Sequence, residues 1–372
     1  MKRKSHWKGL LFAGCMAVLI AGCGKKADTT DQPLPTPEAT VEATPTPEEE
    51  SIQESAQGEK KELPEGMVRS YLTGEPVPEA VGKRRPAAIM LNNIKAACPQ
   101  FGISHAGVIY EAPVEGGITR LMGIFEDYDN LKKIGSVRSC RDYFIFYASG
   151  FDAIYCHYGQ SVYAVPYLEE PEVDNLSGLE GYGSQVYYRT SDRKPPHNAY
   201  TSFEGIQKGI EINNYSQEYA PNYQSSYLFA DDQHPVTLED GITANKVTPG
   251  GYQYNTPWFS YNRETGLYDR FQFGESQIDE ETGTGLSVKN IILQNSGWKK
   301  YDENGYLNID VNTSGTGTYI TGGKAIAITW DKKDPWGPTY YYDSNGNQIV
   351  MNQGKTWVCI ILDTSADNTV IE

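Results

Sequence analysis

Between residues 86 and 160 the apolar positions come in short, nearly unbroken runs, and each run stops at polar residues or glycine. PAAIMLNN (86–93) predicts a central strand covered on both faces, with a polar carboxyl end left free for function. IKAACPQFGISHA, broken by Pro99 and Gly102, reads as a loop with one helical turn. AGVIYEAPVE predicts a second strand, in which Pro113 marks an edge, a bulge or the strand's end. Gly116 and Gly117 then allow a tight turn into ITRLMGIFEDY, an antiparallel partner. YFIFYASGF predicts a helix, with Ser136 or Ser139 as its cap and Asp142 near its first turn. DAIYCHYG is another apolar strand, followed by a helix over SVYAVPYLEE. FEGIQKGIEI is a further helix, capped by Thr201 or Ser202.

From Tyr223 onward the pattern changes to short alternating or apolar runs punctuated by RETG, DENG and DSNG, three glycine-terminated turn signals. The expected fold class is therefore mixed α+β. An N-terminal α/β domain with a mixed sheet spans 67–222, and a C-terminal all-β module, a small barrel or sandwich, spans 223–372. Trp258, Trp298, Trp330, Trp336 and Trp357 fall in this second part. They can form either a sugar-stacking platform or core packing, which sequence does not separate.

Charges are expensive in buried runs unless paired or used, so the polar residues within 108–159 locate a candidate site. Glu111 and Glu115 are four apart and share a face if the strand is straight. Arg120 follows close by. The pattern fits a carboxylate pair with a nearby cation, and equally a hairpin end with solvated glutamates and one ion pair. Arg138 and Arg141 precede a predicted helix, an arrangement that suits anion binding; internal pairing with Glu111 or Glu115 accounts for them as well. His157 falls at the carboxyl end of a strand, where open α/β sheets place ligands. Pro195-Pro196 stiffen a loop that presents His197 and Asn198. The candidate catalytic residues are thus Glu111, Glu115, His157 and His197, and the candidate ligand-binding residues Arg120, Arg138, Arg141, His157 and Asn198.

The first 22 residues join a basic start, MKRKSHWK, to an apolar run too short to span a bilayer, ending Ile20-Ala21-Gly22-Cys23. This resembles the signal peptide and lipobox of bacterial lipoproteins, in which the cysteine, here Cys23, carries the lipid. It implies a membrane partner through that anchor and a place on the extracytoplasmic face of the cell membrane. Residues 23–66, rich in Pro, Thr and Glu with no apolar period, read as a disordered tether. Net charge is −16, and near −20 once the four basic residues of the leader are removed; such a surface argues against nucleic acid. Tyrosine outnumbers phenylalanine 27 to 11, which favours surfaces that are both apolar and polar, as on an extracellular or carbohydrate-facing protein. Cys98, Cys140, Cys156 and Cys359 have no metal-ligand spacing and no CxxC, and read as free thiols. No metal and no cofactor is expected.

MLNN, PQFGISHAGVIYEAPVEGGITR, IGSVRSCRDYF, FDAIYCHYG and PPHNAYTS, with YNRETG, VKNIILQ and NQGKTWVCII further on, together resemble the YerB-like lipoproteins of Gram-positive bacteria over residues 80 to 365. The resemblance implies an N-terminal α/β region and a C-terminal β-rich region, and brings no catalytic residues with it. Asn92, Cys98 and Gln277 depart from the pattern, which would have an aspartate, a basic residue and a histidine-aspartate step there. Two function classes remain. One is a lipoprotein that binds an anionic or glycan ligand such as peptidoglycan, or scaffolds an envelope complex. The other is an envelope hydrolase or transferase using Glu111 or Glu115 with His157 or His197. No serine elbow, HExxH, P-loop or dinucleotide fingerprint fixes a reaction.

Overall fold

The computed structural model describes residues 63–372. The expected signal peptide, the lipidation residue Cys23 and most of the tether lie outside the described residues. The chain builds a mixed α+β fold around one eleven-stranded sheet. Its strands are β1 (Ala87–Asn92), β2 (Val108–Pro113), β3 (Thr119–Phe125), β4 (Ile154–His157), β5 (Asn175–Ser177), β6 (Ile242–Thr243), β7 (Asn290–Ser296), β8 (Ser314–Thr321), β9 (Lys324–Asp331), β10 (Tyr340–Tyr342) and β11 (Thr356–Leu362). They run in the order β6-β9-β8-β7-β11-β2-β3-β1-β4-β5, with β10 also on β9.

The join between the two halves is parallel pairing of β11 on β2, with Thr356 opposite Val108 and Cys359 opposite Glu111. The C-terminal segment is mostly strands, as its turn spacing predicts. It does not close on itself, however, because β7, β8, β9 and β11 continue the sheet begun by β1–β3. A smaller six-stranded sheet, including Trp258–Asn262 and Leu267–Gln272, covers part of one face. The turn signals were visible in the sequence. The register that merges the sheets depends on contacts about 250 positions apart, as Trp357 on Glu111 shows.

Side chains alternate across the sheet and build two cores. Val108, Tyr110 and Ala112 of β2 face helix α1 (Asp142–Ser149). Ile109, with Leu121, Trp357 and Cys359, faces helix α2 (Phe203–Asn213) and the smaller sheet. Helix α2 is capped as expected, Ser202 Oγ accepting from Gly205 N at 3.1 Å. Helix α1 is not: Arg141 stands at its cap position with no side-chain cap bond, and Ser139 Oγ instead donates to Tyr158 O at 3.3 Å. The helix predicted over 161–170 is a single turn, Val165–Leu168. All four cysteines among the described residues are free thiols, and Cys140, Cys156 and Cys359 are core residues. Trp330 and Trp357 are fully buried, so they take no part in a surface platform.

Candidate functional site

Strands β1, β2 and β4 end at one edge of the sheet, and β3 begins there, because β2 and β3 form a hairpin with Pro113 opposite Thr119. Gly116 and Gly117 make its turn at φ of 78° and 72°, backbone that an L side chain adopts only with strain. Residues 137–141 thread across this edge: Arg138 N bonds Met90 O of β1, and Cys140 N bonds Gly159 O beyond β4. The path is tight, since a Cβ on Gly159 (φ 87°) would meet Ser139 Oγ at 2.9 Å. Two charged clusters form here, on opposite faces of the sheet.

The first centres on Glu111 and is sealed. Its side chain has no exposure and receives five donors. Asn93 Nδ2 (3.2 Å), Thr119 Oγ1 (2.8 Å) and Asn255 Nδ2 (2.9 Å) donate to Oε1. Arg270 Nη2 (2.5 Å) and Trp357 Nε1 (3.2 Å) donate to Oε2. Arg270 is equally buried, its guanidinium lying over the rings of Phe259 and Trp357 at 4.5 Å from each. Gln277 accepts from Arg270 Nε at 3.3 Å, and Gln272 donates to Cys98 Sγ at 3.5 Å. Burial pushes the Cys98 thiol up to about 12, which leaves it protonated at neutral pH. Cys98 and Gln277, two of the positions that depart from the family pattern, thus belong to this polar core. Arg270 was missed by sequence reading. Its signal is that in LYDRFQ the positions of Tyr268, Arg270 and Gln272 alternate inward, and an arginine at an inward position needs a buried anion.

The second cluster lies on the α1 face and opens to solvent. Glu115 is not on Glu111's face: beyond Pro113 the chain turns, and Glu115 accepts from Arg141 Nε at 2.9 Å and from Arg141 Nη2. Arg141 also donates to Cys140 O at 2.7 Å and lies 5.4 Å from the Tyr306 ring. Arg120 is 4 % exposed, and its side chain's one hydrogen bond among the described residues goes to Ser139 O at 2.7 Å. Burial first, then the charges of Arg141 and Arg138, pull Arg120 well below its ordinary range. Arg138 is half-buried, reaches Pro196 O at 3.5 Å, and its buried Nε has no partner. Burial, followed by Arg141, lowers Arg138 too. Among the described residues neither Arg120 nor Arg138 has a carboxylate within ion-pair distance. Burial raises Glu115 and Arg141 more than offsets it, so its carboxyl titrates below its ordinary value.

The histidines do not meet. His157 is fully buried, with Nδ1 2.9 Å from Gly159 O and Nε2 3.2 Å from Asn175 Oδ1. Burial lowers its pKa and keeps it neutral. His197 lies at the open cluster, Nδ1 2.9 Å from Asn92 Nδ2, and is lowered by burial and then by Arg138 and Arg193. Asn198 is buried; it accepts from Arg189 Nη1 at 2.9 Å and donates to Thr190 O at 2.7 Å. Arg189, also missed from sequence, packs over Tyr158 at 4.6 Å. Among the described residues no three His, Cys, Asp or Glu side chains are grouped to hold a metal ion.

A mixed α+β fold in which an N-terminal α/β segment and a β-rich C-terminal segment share one sheet defines the class. Residues 72–216 match the N-terminal domain, and residues 247–358 the C-terminal domain, of the family described as "protein of unknown function (DUF3048)". The chain belongs to this family. It is 32 % identical over 303 residues to "Putative lipoprotein YerB" of Bacillus subtilis (strain 168), covering 80 % of this chain and 88 % of that protein. It is also similar to the crystal structure of the YerB protein from Bacillus subtilis: TM-score 0.71, 30 % identity, 82 % of this chain and 99 % of that one. The resemblance in the sequence motifs therefore holds over most of the chain, and the relative's name carries the lipoprotein theme.

Proposed function

We propose that the chain is a lipoprotein, anchored through Cys23 on the extracytoplasmic face of the membrane, whose folded part binds an anionic ligand of the cell envelope. The binding residues are Arg120, Arg138 and Arg141, with His197 and Asn92 at the rim. One observation carries this reading. The guanidinium groups of Arg120, Arg138 and Arg141 lie close enough to depress one another's protonation, and only Arg141 is ion-paired, to Glu115, in a chain of net charge −16. An acidic protein gains nothing from concentrating uncompensated positive charge unless an anion completes it. The hydrolase alternative draws less support: Glu111 is sealed and ion-paired on one face, and Glu115 is held ionised by Arg141 on the other. Two such carboxylates do not flank one scissile bond.

The test is calorimetric titration of the full chain, in non-ionic detergent, with inorganic pyrophosphate. Binding should weaken as salt rises, and Arg138→Ala should weaken it at least about tenfold with the melting temperature unchanged, as loss of one charge-assisted contact implies. Equal affinity in wild type and Arg138→Ala would overturn the assignment.

A further inference from the structure

We propose that His197 makes the anion site respond to pH: the ligand is held more tightly once the imidazole carries a second proton, and Asn92 sets the neutral state from which it starts. This rests on the anion-binding reading above. Asn92 ends β1, is 2 % exposed and is held in place by its neighbours. Its backbone N–H bonds Ser136 O at 3.0 Å, and its Oδ1 accepts from Ile94 N at 3.4 Å, which leaves Nδ2 for the loop of His197. There Nδ2 donates to His197 Nδ1 at 2.9 Å. An imidazole that accepts at Nδ1 is neutral and carries its one proton on Nε2. Nε2 has no partner among the described residues. Asn92 thus fixes both the charge and the tautomer of His197, and leaves it an N–H to offer a ligand.

The charges around His197 make its protonation depend on an anion. Arg138 comes from the segment that crosses the sheet edge, and its guanidinium reaches Pro196 O at 3.5 Å, one residue before His197. Arg193 and Lys194 belong to the loop of His197 itself, whose backbone N–H bonds Lys194 O at 3.0 Å. Arg193 is ion-paired with Glu280. Among the described residues neither Arg138 nor His197 has a carboxylate within ion-pair distance. A second proton at Nδ1 would face the Asn92 donor at 2.9 Å and the charge of Arg138, so the free site resists it. An anion seated on Arg138 reverses that balance: it offsets the guanidinium and accepts from the imidazolium. Binding and protonation then favour each other by the same factor. The charges of Glu115 and Arg120 stay fixed between pH 5 and pH 8. Glu115 titrates below its ordinary value, and Arg120, lowered to about 9 by burial and then by Arg141 and Arg138, keeps its proton. Burial, then Arg138 and Arg193, hold His197 below its ordinary value, and the anion raises it. Affinity therefore climbs as pH falls through the bound-state value, and levels off below the free-state value.

The test uses the full chain in non-ionic detergent and trimetaphosphate, which stays a trianion from pH 5 to pH 8. It is titrated calorimetrically at pH 5, 6.5 and 8 into wild type, His197→Gln, Asn92→Asp and Arg138→Ala. The ring C–H signals of His197 are followed by NMR with and without the anion. Wild-type affinity should rise about fivefold from pH 8 to pH 5, the lower end of usual coupling between sites. His197→Gln should bind with one affinity at all three pH values. The anion should move the His197 midpoint upward, and Asn92→Asp, which sets a carboxylate against Nδ1, should do so with no anion present. Wild-type binding that is level in pH, or a rise that survives in His197→Gln, would overturn the proposal and leave the anion site standing. So would a His197 midpoint that the anion does not shift, and one unmoved in Asn92→Asp would overturn the role given to Asn92. If trimetaphosphate binds at no pH, or binds Arg138→Ala as tightly as wild type, the anion site itself fails and the proposal with it.

Discussion

Glu111 and Glu115 lie four residues apart, and the fold uses them in opposite ways. Glu111 meets five donors, one of them an arginine, in a site with no exposed surface. Its charge is balanced, and Trp357, Asn255 and Arg270, all from the C-terminal half, hold it. Glu115 pairs with Arg141 alone, at an open edge where Arg120 and Arg138 have no carboxylate of their own. The same residue types thus make a fastener between chain halves in one place and an unfinished ion cluster in the other. Charge balance and access separate the two: the sealed pair is neutral and has no exposed surface, although Arg270 Nη1 has no hydrogen-bond partner, whereas the open cluster carries more guanidinium groups than it ion-pairs.

The largest expected effect follows from the sealed pair. Glu111→Ala strands the Arg270 charge against two aromatic rings with no counter-ion, which should cost about 3–5 kcal/mol of stability. Replacing both partners by apolar residues, Glu111→Leu with Arg270→Met, should cost clearly less, because no lone charge then remains. Urea denaturation of the three proteins measures this. A double variant as unstable as Glu111→Ala would show that the pair stabilises by attraction and not merely by mutual neutralisation.

A third carboxylate sharpens the contrast. Glu126 is 6 % exposed, accepts from Ser70 Oγ, and has an unpartnered Oε2. Burial first, with Asp127 and Glu75 adding to it, raises its pKa to about 7. In the unfolded chain a glutamate titrates near 4.3. Between those values the folded state holds a proton that the unfolded state has lost, so stability falls as pH rises. The contribution is full below about pH 4 and is lost as pH passes about 7. Relative to Glu126→Gln, wild type should therefore lose up to about 3 kcal/mol between pH 5 and pH 8, read from denaturation midpoints. A constant difference across that range would mean that Glu126 is ionised when folded.

The strands and the hairpin were legible because they depend on local pattern: PAAIMLNN, VIYEAP and TRLMGIF are β1, β2 and β3, and Gly116-Gly117 is their turn. The grouping of Arg120, Arg138 and Arg141 was also legible, since all three flank one short stretch. The partner of Glu111 was not, because Arg270 is 159 residues away and only the β11-on-β2 register brings it close. Nor was the separation of Glu111 from Glu115. Alternation puts residues four apart on one face only while the strand continues, and β2 ends at Pro113.

The smallest effect on stability, and the clearest test of the comparison, comes from Glu115→Gln. The Glu115 side chain is 28 % exposed but that of Arg141 only 6 %, so the cost should fall between the roughly 0–1 kcal/mol of a surface pair and the roughly 3–5 kcal/mol of a sealed one. Melting temperature should therefore fall less than that of Glu111→Ala. Ligand binding should move the other way. A neutral amide would no longer balance Arg141, so an added anion meets three free guanidinium groups where wild type offers two and a part. Pyrophosphate affinity should rise severalfold, with a steeper salt dependence, measured by calorimetry at two ionic strengths. If affinity falls instead, Glu115 orients Arg141 for the ligand, and the open cluster is preorganised in the same sense as the sealed one.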